Sequence, residues 1–179
     1  MKKMRKNKST FVDEVIRVNH AGEFGAKRIY EGQLKFLKDQ KALELVKDMY
    51  RQELEHLNYF DNEIVDRDVR PTVLMPIWNK LGFALGAVTA MIGKEAAMAC
   101  TVAVEEVIEE HYQEQIDELQ KNHPKEIVLF DKIKQFQQEE VEHKNIGMEN
   151  NAMESPAFKV LTTCIKKASK LAIWLSKRI

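Results

Sequence analysis

The chain has 179 residues with 28 basic and 28 acidic side chains, so its formal net charge is zero. That length suits one domain with a substantial core, and the balanced charge gives no argument for nucleic-acid binding. Cys100 and Cys164 are the only cysteines; far apart and outside any CxxC, they exclude a zinc-thiolate cluster and read as small core residues in a reducing compartment.

Residues 1–10, MKKMRKNKST, are basic with no apolar run behind them, so a flexible terminus is expected rather than a secretory signal. A first helical stripe runs from about Thr10 to Asp39 through Val12, Ile16, Tyr30, Leu34 and Leu37. A second, about Lys41 to Asp66, carries Val46, Met49 and Phe60 and ends before Arg70-Pro71. Residues 71–93 read as an apolar connector interrupted by Pro76 and Lys80, whose uncharged run from Leu81 to Gly93 is too short to span a bilayer. A third long helix is predicted from about Lys94 to Lys121 and a fourth from about Lys125 to Asn150, the latter with Leu129, Ile133 and Phe136 inside. Residues 157–179 form a basic amphipathic pattern, with Val160, Leu161, Ile165 and Leu171 set against Lys166, Lys167 and Lys170. That pattern suits a membrane surface and equally a helix packed on the bundle with a solvated basic face. The expected fold is all-α, a four-helix bundle with the connector and a C-terminal amphipathic helix added.

Each long stripe runs into a carboxylate at mid-length. The second reads Val46, Met49, Glu53, His56, Phe60; the fourth Phe136, Glu140, His143, Gly147; the third Thr101, Glu105, Ile108, Tyr112; and the first has Glu23 between Ile16 and Tyr30. Four inward carboxylates repel one another unless protonated or bound to cations, because an unpaired buried charge costs several kcal/mol. In E-x-x-H the two side chains sit on neighbouring turns of one face and can approach a common ion. Two such pairs plus one Glu from each other helix form the ligand set of dinuclear carboxylate bundles. Oxygen and imidazole donors of this kind suit iron or manganese. The competing reading is a buried Glu–His polar network without metal.

An internal repeat strengthens the metal reading. QELEHLNYF from Gln52 matches EEVEHKNIG from Glu139, and HAGEFGAKRIYEGQ from His20 matches VAVEEVIEEHYQEQ from Val102. Two related helix pairs facing each other build a pseudo-twofold site. Glu53 and Glu140, each from an E-x-x-H helix, are the bridging candidates, with Glu23 and His56 terminal to one ion and Glu105 and His143 to the other. His20, His111 and Tyr112 are candidates for supporting contacts. Glu55 and Glu142 turn about 100° away from the stripe and are expected on the surface, as are Glu106, Glu109, Glu110, Glu139 and His123. Trp78 and Trp174 fit either a core or a membrane interface.

IRVNHAGEFGAKRIYEGQ, VRPTVLMPIWNKLGFALGAVTAMIGKEAAMACTVAVEE and EEVEHKNIGM resemble the demethoxyubiquinone hydroxylase family of ubiquinone biosynthesis, over nearly the whole chain from Phe11. The resemblance implies a ferritin-like di-iron monooxygenase that hydroxylates a polyprenyl quinol ring with dioxygen. It also implies two iron ions per chain on Glu23, Glu53, His56, Glu105, Glu140 and His143. Peripheral attachment to the cytoplasmic face of a cell membrane is expected for the bacterial-type member that the chain resembles, or to the matrix face of the inner mitochondrial membrane in a eukaryote. Further expectations are a reduced nicotinamide as electron donor, although no GxGxxG fingerprint is present, a lipid-binding partner protein of the same biosynthesis and a homo-oligomer. The alternatives are a ferritin- or rubrerythrin-like ferroxidase and a non-enzymatic membrane-associated scaffold.

Overall fold

The computed structural model of the protein describes residues 10–179, so the expectation for the basic terminus lies outside the described residues except at Thr10. Six α-helices follow in order: α1 (Phe11–Phe36), α2 (Gln40–Asp66), α3 (Met75–Ile92), α4 (Lys94–Asn122), α5 (Ile127–Glu149) and α6 (Phe158–Ser176). A single 3-10 turn, Ala152–Glu154, precedes α6, and no strand occurs among the described residues.

Local chemistry explains the boundaries. Thr10 and Asp13 form a reciprocal capping box at the start of α1, and Asp39 caps α2 by accepting from the Ala42 N–H at 2.8 Å. The expected run to Asp39 therefore stops at Phe36, because Asp39 belongs to the next helix. The apolar segment is a complete helix rather than an interrupted connector: Pro76 lies in its first turn, where the missing N–H costs nothing. Gly93 then separates α3 from α4 with φ 154° and ψ 171°, a backbone region that side chains exclude.

α1 packs against α2 and α3, and α4 against α5, α3 and α6. The all-α ferritin-like bundle is thus α1, α2, α4 and α5, with α3 and α6 laid against its outside. Two apolar clusters fill it. One gathers Tyr30, Val46, Met49, Met98 and Val102; the other gathers Val15, Phe60, Tyr112, Ile116, Leu129, Ile133 and Phe136. In α1, α2 and α4 the glutamate lies in sequence between contributions to the two clusters, and in α5 between Phe136 and Ile146, which packs against the first, so the polar residues form a layer sandwiched between two hydrophobic ones.

α3 approaches α1 closely through glycines. A Cβ on Gly86 would collide with the carbonyl oxygen of Ile29, and one on Gly32 would meet Ala87 N at 2.6 Å. α6 is held by Leu161 and Ile165 against the core and by ion pairs Lys166–Glu106 (2.6 Å) and Lys170–Glu110 (2.7 Å). Such exposed pairs are screened by water and contribute little, so burial of Ile165 is the main anchor. Part of the basic face that the sequence left to solvent or membrane thus turns toward the acids of α4. Cys100 is buried as expected, whereas Cys164 is exposed on α6, away from the core side occupied by Ile165.

Candidate metal centre

Glu23 from α1, Glu53 and His56 from α2, Glu105 from α4, and Glu140 and His143 from α5 are all at most 1% exposed. They converge into two overlapping groups, Glu23, Glu53, His56 and Glu140, and Glu53, Glu105, Glu140 and His143, within each of which the ligand atoms lie within 4.8 Å of one another. Glu53 and Glu140 belong to both. His56 Nδ1 lies 3.4 Å from Glu23 and 3.2 Å from Glu140, and His143 Nδ1 lies 3.3 Å from Glu53 and 3.1 Å from Glu140.

Six atoms of this layer are buried without a hydrogen-bond partner: Glu23 Oε2, both oxygens of Glu53, Glu105 Oε2, Glu140 Oε1 and His56 Nδ1. Buried polar atoms left unpaired cost about 1–3 kcal/mol each, more when charged, so a cluster of orphans facing one space fits bound cations. The donor set fits as well. Two divalent ions would neutralise four carboxylates, and each histidine would supply one nitrogen.

The electrostatics express the same crowding. Burial, followed by repulsion from Glu140 and Glu23, pushes Glu53 well above the usual carboxylate range. Burial and repulsion from Glu140 and Glu53 do the same to Glu105. Burial acts upward on Glu140 too, but the imidazoles of His143 and His56 outweigh it and hold its carboxyl at about 2. Burial disfavours a charged His56, yet Glu140 and Glu23 beside it push the ring up to about 12.

Supporting contacts follow the repeat. Tyr112 donates its hydroxyl to Glu23 Oε1, and Tyr30 donates to Glu105 Oε1 at 2.8 Å, each phenol bridging α1 and α4. Tyr112 was a sequence candidate; Tyr30 was not, although the repeat aligns it with Tyr112. His20 Nε2 lies 2.9 Å from Asp61, which is on α2. His111 is hydrogen-bonded at 2.8 Å to Gln115, which exchanges amide bonds with Asn19, so it supports the α1–α4 contact rather than a ligand.

Two supports escaped the sequence reading. Glu139, expected in solvent, is only 24% exposed and lies 2.5 Å from His56 Nε2. Gln52 lies 2.6 Å from His143 Nε2. Both stand one residue before a ligand candidate, and the signal available was their shared place in the repeat. His123 is not in open solvent either, because its ring stacks on Phe11 at 5.1 Å between centroids. Glu55 and Glu142 are exposed as expected.

A cavity of about 460 Å³ lies beside the centre, walled by α1, α3, α4 and α6. Its lining is almost wholly apolar and includes Gly22 and Ala26 of α1, Leu81 and Leu85 of α3, and Val104 and Ile108 of α4. Gly22 and Val104 directly precede Glu23 and Glu105, so the helices that carry these two glutamates also form the cavity wall. Trp78, which donates to Ser176 Oγ at 3.0 Å, closes part of the α3–α6 side.

Comparison with known proteins agrees with this architecture. The family described as ubiquinone biosynthesis protein COQ7 matches residues 10–176. The human protein named NADPH-dependent 3-demethoxyubiquinone 3-hydroxylase, mitochondrial, is 50% identical over 169 residues, covering 94% of this chain and 78% of the relative. The 3-demethoxyubiquinol 3-hydroxylase of Rhodospirillum rubrum is 47% identical over 172 residues, 96% of this chain and 80% of the relative. The mitochondrial 5-demethoxyubiquinone hydroxylase of Saccharomyces cerevisiae is 38% identical over 185 aligned positions, 96% and 79% respectively. With the family matched from Thr10 to Ser176 around a bundle built on four glutamates and two histidines, this chain belongs to the COQ7 family of ubiquinone-biosynthesis proteins.

Proposed function

We propose that the protein hydroxylates the ring of a demethoxyubiquinol, using dioxygen and two iron ions held by Glu23, Glu53, His56, Glu105, Glu140 and His143. The observation that carries this reading is that the carboxylate–histidine layer and the apolar cavity share the helices bearing Glu23 and Glu105. A ferroxidase needs the layer but not the cavity. The names of the relatives supply the substrate class.

Iron would supply the activation of dioxygen, and the chain's own residues do the rest. Glu53 and Glu140 are shared between the two ligand groups, which suits them to bridge. Tyr112 and Tyr30 each occupy one oxygen of Glu23 and Glu105, leaving the other oxygen turned to the metal space. Burial keeps both phenols neutral and therefore able to donate. The apolar lining of the cavity suits an apolar ring and the start of its isoprenoid tail. One oxygen atom enters a ring C–H and the other leaves as water, with two electrons and two protons from a reductant. A reduced nicotinamide is the proposed reductant, in keeping with the word NADPH in the names of the human and Dictyostelium discoideum relatives.

No described helix is long and apolar enough to cross a membrane. Ile77 and Leu81 of α3 and Leu171 of α6 both line the cavity and stand 47–57% exposed. These apolar residues at the cavity's edge support peripheral attachment to the membrane that holds the quinol, with substrate entering between α3 and α6. A lipid-binding partner of the same biosynthesis, or a second copy of the chain, would cover the same apolar surface.

Anaerobic loading with Fe(II), followed by oxygen and a short-tailed demethoxyubiquinol, tests the reading. Hydroxylated quinol by mass spectrometry is the expected result; stoichiometric Fe(II) oxidation without product would establish a ferroxidase instead.

A further inference from the structure

The repeat places Gln52 and Glu139 in the same register, each immediately before the Glu of an E-x-x-H. Each reaches across to the opposite helix: Glu139 of α5 meets His56 Nε2 at 2.5 Å, and Gln52 of α2 meets His143 Nε2 at 2.6 Å. Both imidazoles turn Nδ1 toward the carboxylates. An ionised carboxylate and an amide oxygen are acceptors only, so each contact holds a proton on Nε2, and the Nδ1 side is the one that would bind a metal ion on release of the second ring proton. Glu139 is itself held by Gln135, which donates to its other oxygen at 2.9 Å.

The two supports share a position but not a charge. A carboxylate polarises an imidazole N–H more strongly than an amide does, since charge-assisted hydrogen bonds are roughly twice as strong as neutral ones. His56 is thereby the more basic donor. The other supports are matched, a tyrosine hydroxyl on each outer glutamate, so the Glu139–Gln52 difference stands out against a symmetric background.

We propose that Glu139 and Gln52 make the two metal positions unequal, so that the one bounded by Glu23 and His56 binds a divalent ion more tightly than the one bounded by Glu105 and His143. This rests on the reading of the six side chains as ligands. Glu139 and Gln52 are positioning residues, acting through the imidazoles.

The test is anaerobic titration of the metal-free full chain with Co(II), read by its visible absorption, alongside Mössbauer spectra of protein given one and two equivalents of ⁵⁷Fe(II). The wild type is expected to fill in two resolved steps, with one quadrupole doublet dominant at one equivalent. Glu139→Gln should weaken the tighter step about 10-fold or more and bring the two doublets toward equal filling. Gln52→Glu should strengthen the weaker step, a gain that a merely structural role does not produce. If Glu139→Gln does not fold, by melting of the metal-free protein, Gln52→Glu alone decides. Two equal steps in the wild type, or variants that leave both steps unchanged, would overturn the inference while leaving the ligand reading intact. A wild type that takes up no ion would overturn both.

Discussion

Glu53 shows how a proposed metal ligand works against the fold that holds it. Its carboxyl is fully buried, repelled by Glu140 and Glu23, and without a hydrogen bond at either oxygen, with His143 Nδ1 3.3 Å from one of them. Glu53→Gln removes that repulsion at nearly constant volume. The metal-free variant is expected to melt higher than the metal-free wild type, by about 2–4 °C for each kcal/mol gained. Metal analysis should show that it has lost iron; a variant that melts lower and keeps its iron would contradict the ligand assignment. His111 gives the residue-scale pH dependence. Burial, then the positive Lys177, lowers its pKa from 6.5 to about 3, while its neighbours Gln115 and Asn19 are neutral and Glu114 is exposed at 3.6 Å. The unfolded chain binds this proton below about pH 6.5 and the folded one does not, so stability falls as the pH drops from about 6.5 toward about 3. Denaturant melts of His111→Gln over that window should show a flatter dependence than the wild type.

At the scale of elements, the packing of α3 on α1 decides where the cavity lies. Gly86→Ala drives a methyl into the carbonyl of Ile29 and is expected to cost about 1–3 kcal/mol as the helices are forced apart. Gly25→Ala, where a Cβ meets nothing within 4 Å, should stabilise α1 by roughly 0.5–1 kcal/mol. Paired thermal melts check both signs. This close approach was not legible in the sequence. The pattern between Val73 and Ile92 shows apolar character but not a partner, and small residues at 82 and 86 acquire meaning only when α1 is placed against them. The four bundle helices were legible, because periodicity marks a buried stripe without knowledge of what covers it. The limits set by Phe36 and Pro76 needed capping geometry. Glu139 is hidden for a related reason: its angle on α5 is that of a boundary residue, and only the position of His56 on α2 makes it a partner.

For the whole molecule, α1 and α4 join the buried carboxylate–histidine layer to an apolar cavity suited to the proposed quinol. The bundle supplies the six donors, and the outer helices α3 and α6 supply an apolar cavity whose edge includes exposed Leu81 and Leu171. Replacing both by glutamate should reduce cosedimentation with phospholipid vesicles several-fold, because each change removes apolar area and adds a charge that resists the interface. Iron content should not change, since neither residue belongs to the centre. Unaltered cosedimentation would exclude this edge as the membrane contact.

The four bundle helices, the inward carboxylates and the twofold repeat were readable in the sequence, because these follow from spacing along one chain. Only the tertiary structure decided that Glu53 and Glu140 are common to both ligand groups. It also decided that Tyr30 and Glu139 serve residues 75 and 83 positions away, and that α3 and α6 enclose a cavity beside Glu23 and Glu105. Those facts depend on distances between helices, which side-chain volume and the glycine contacts of α1 and α3 fix and which periodicity does not encode.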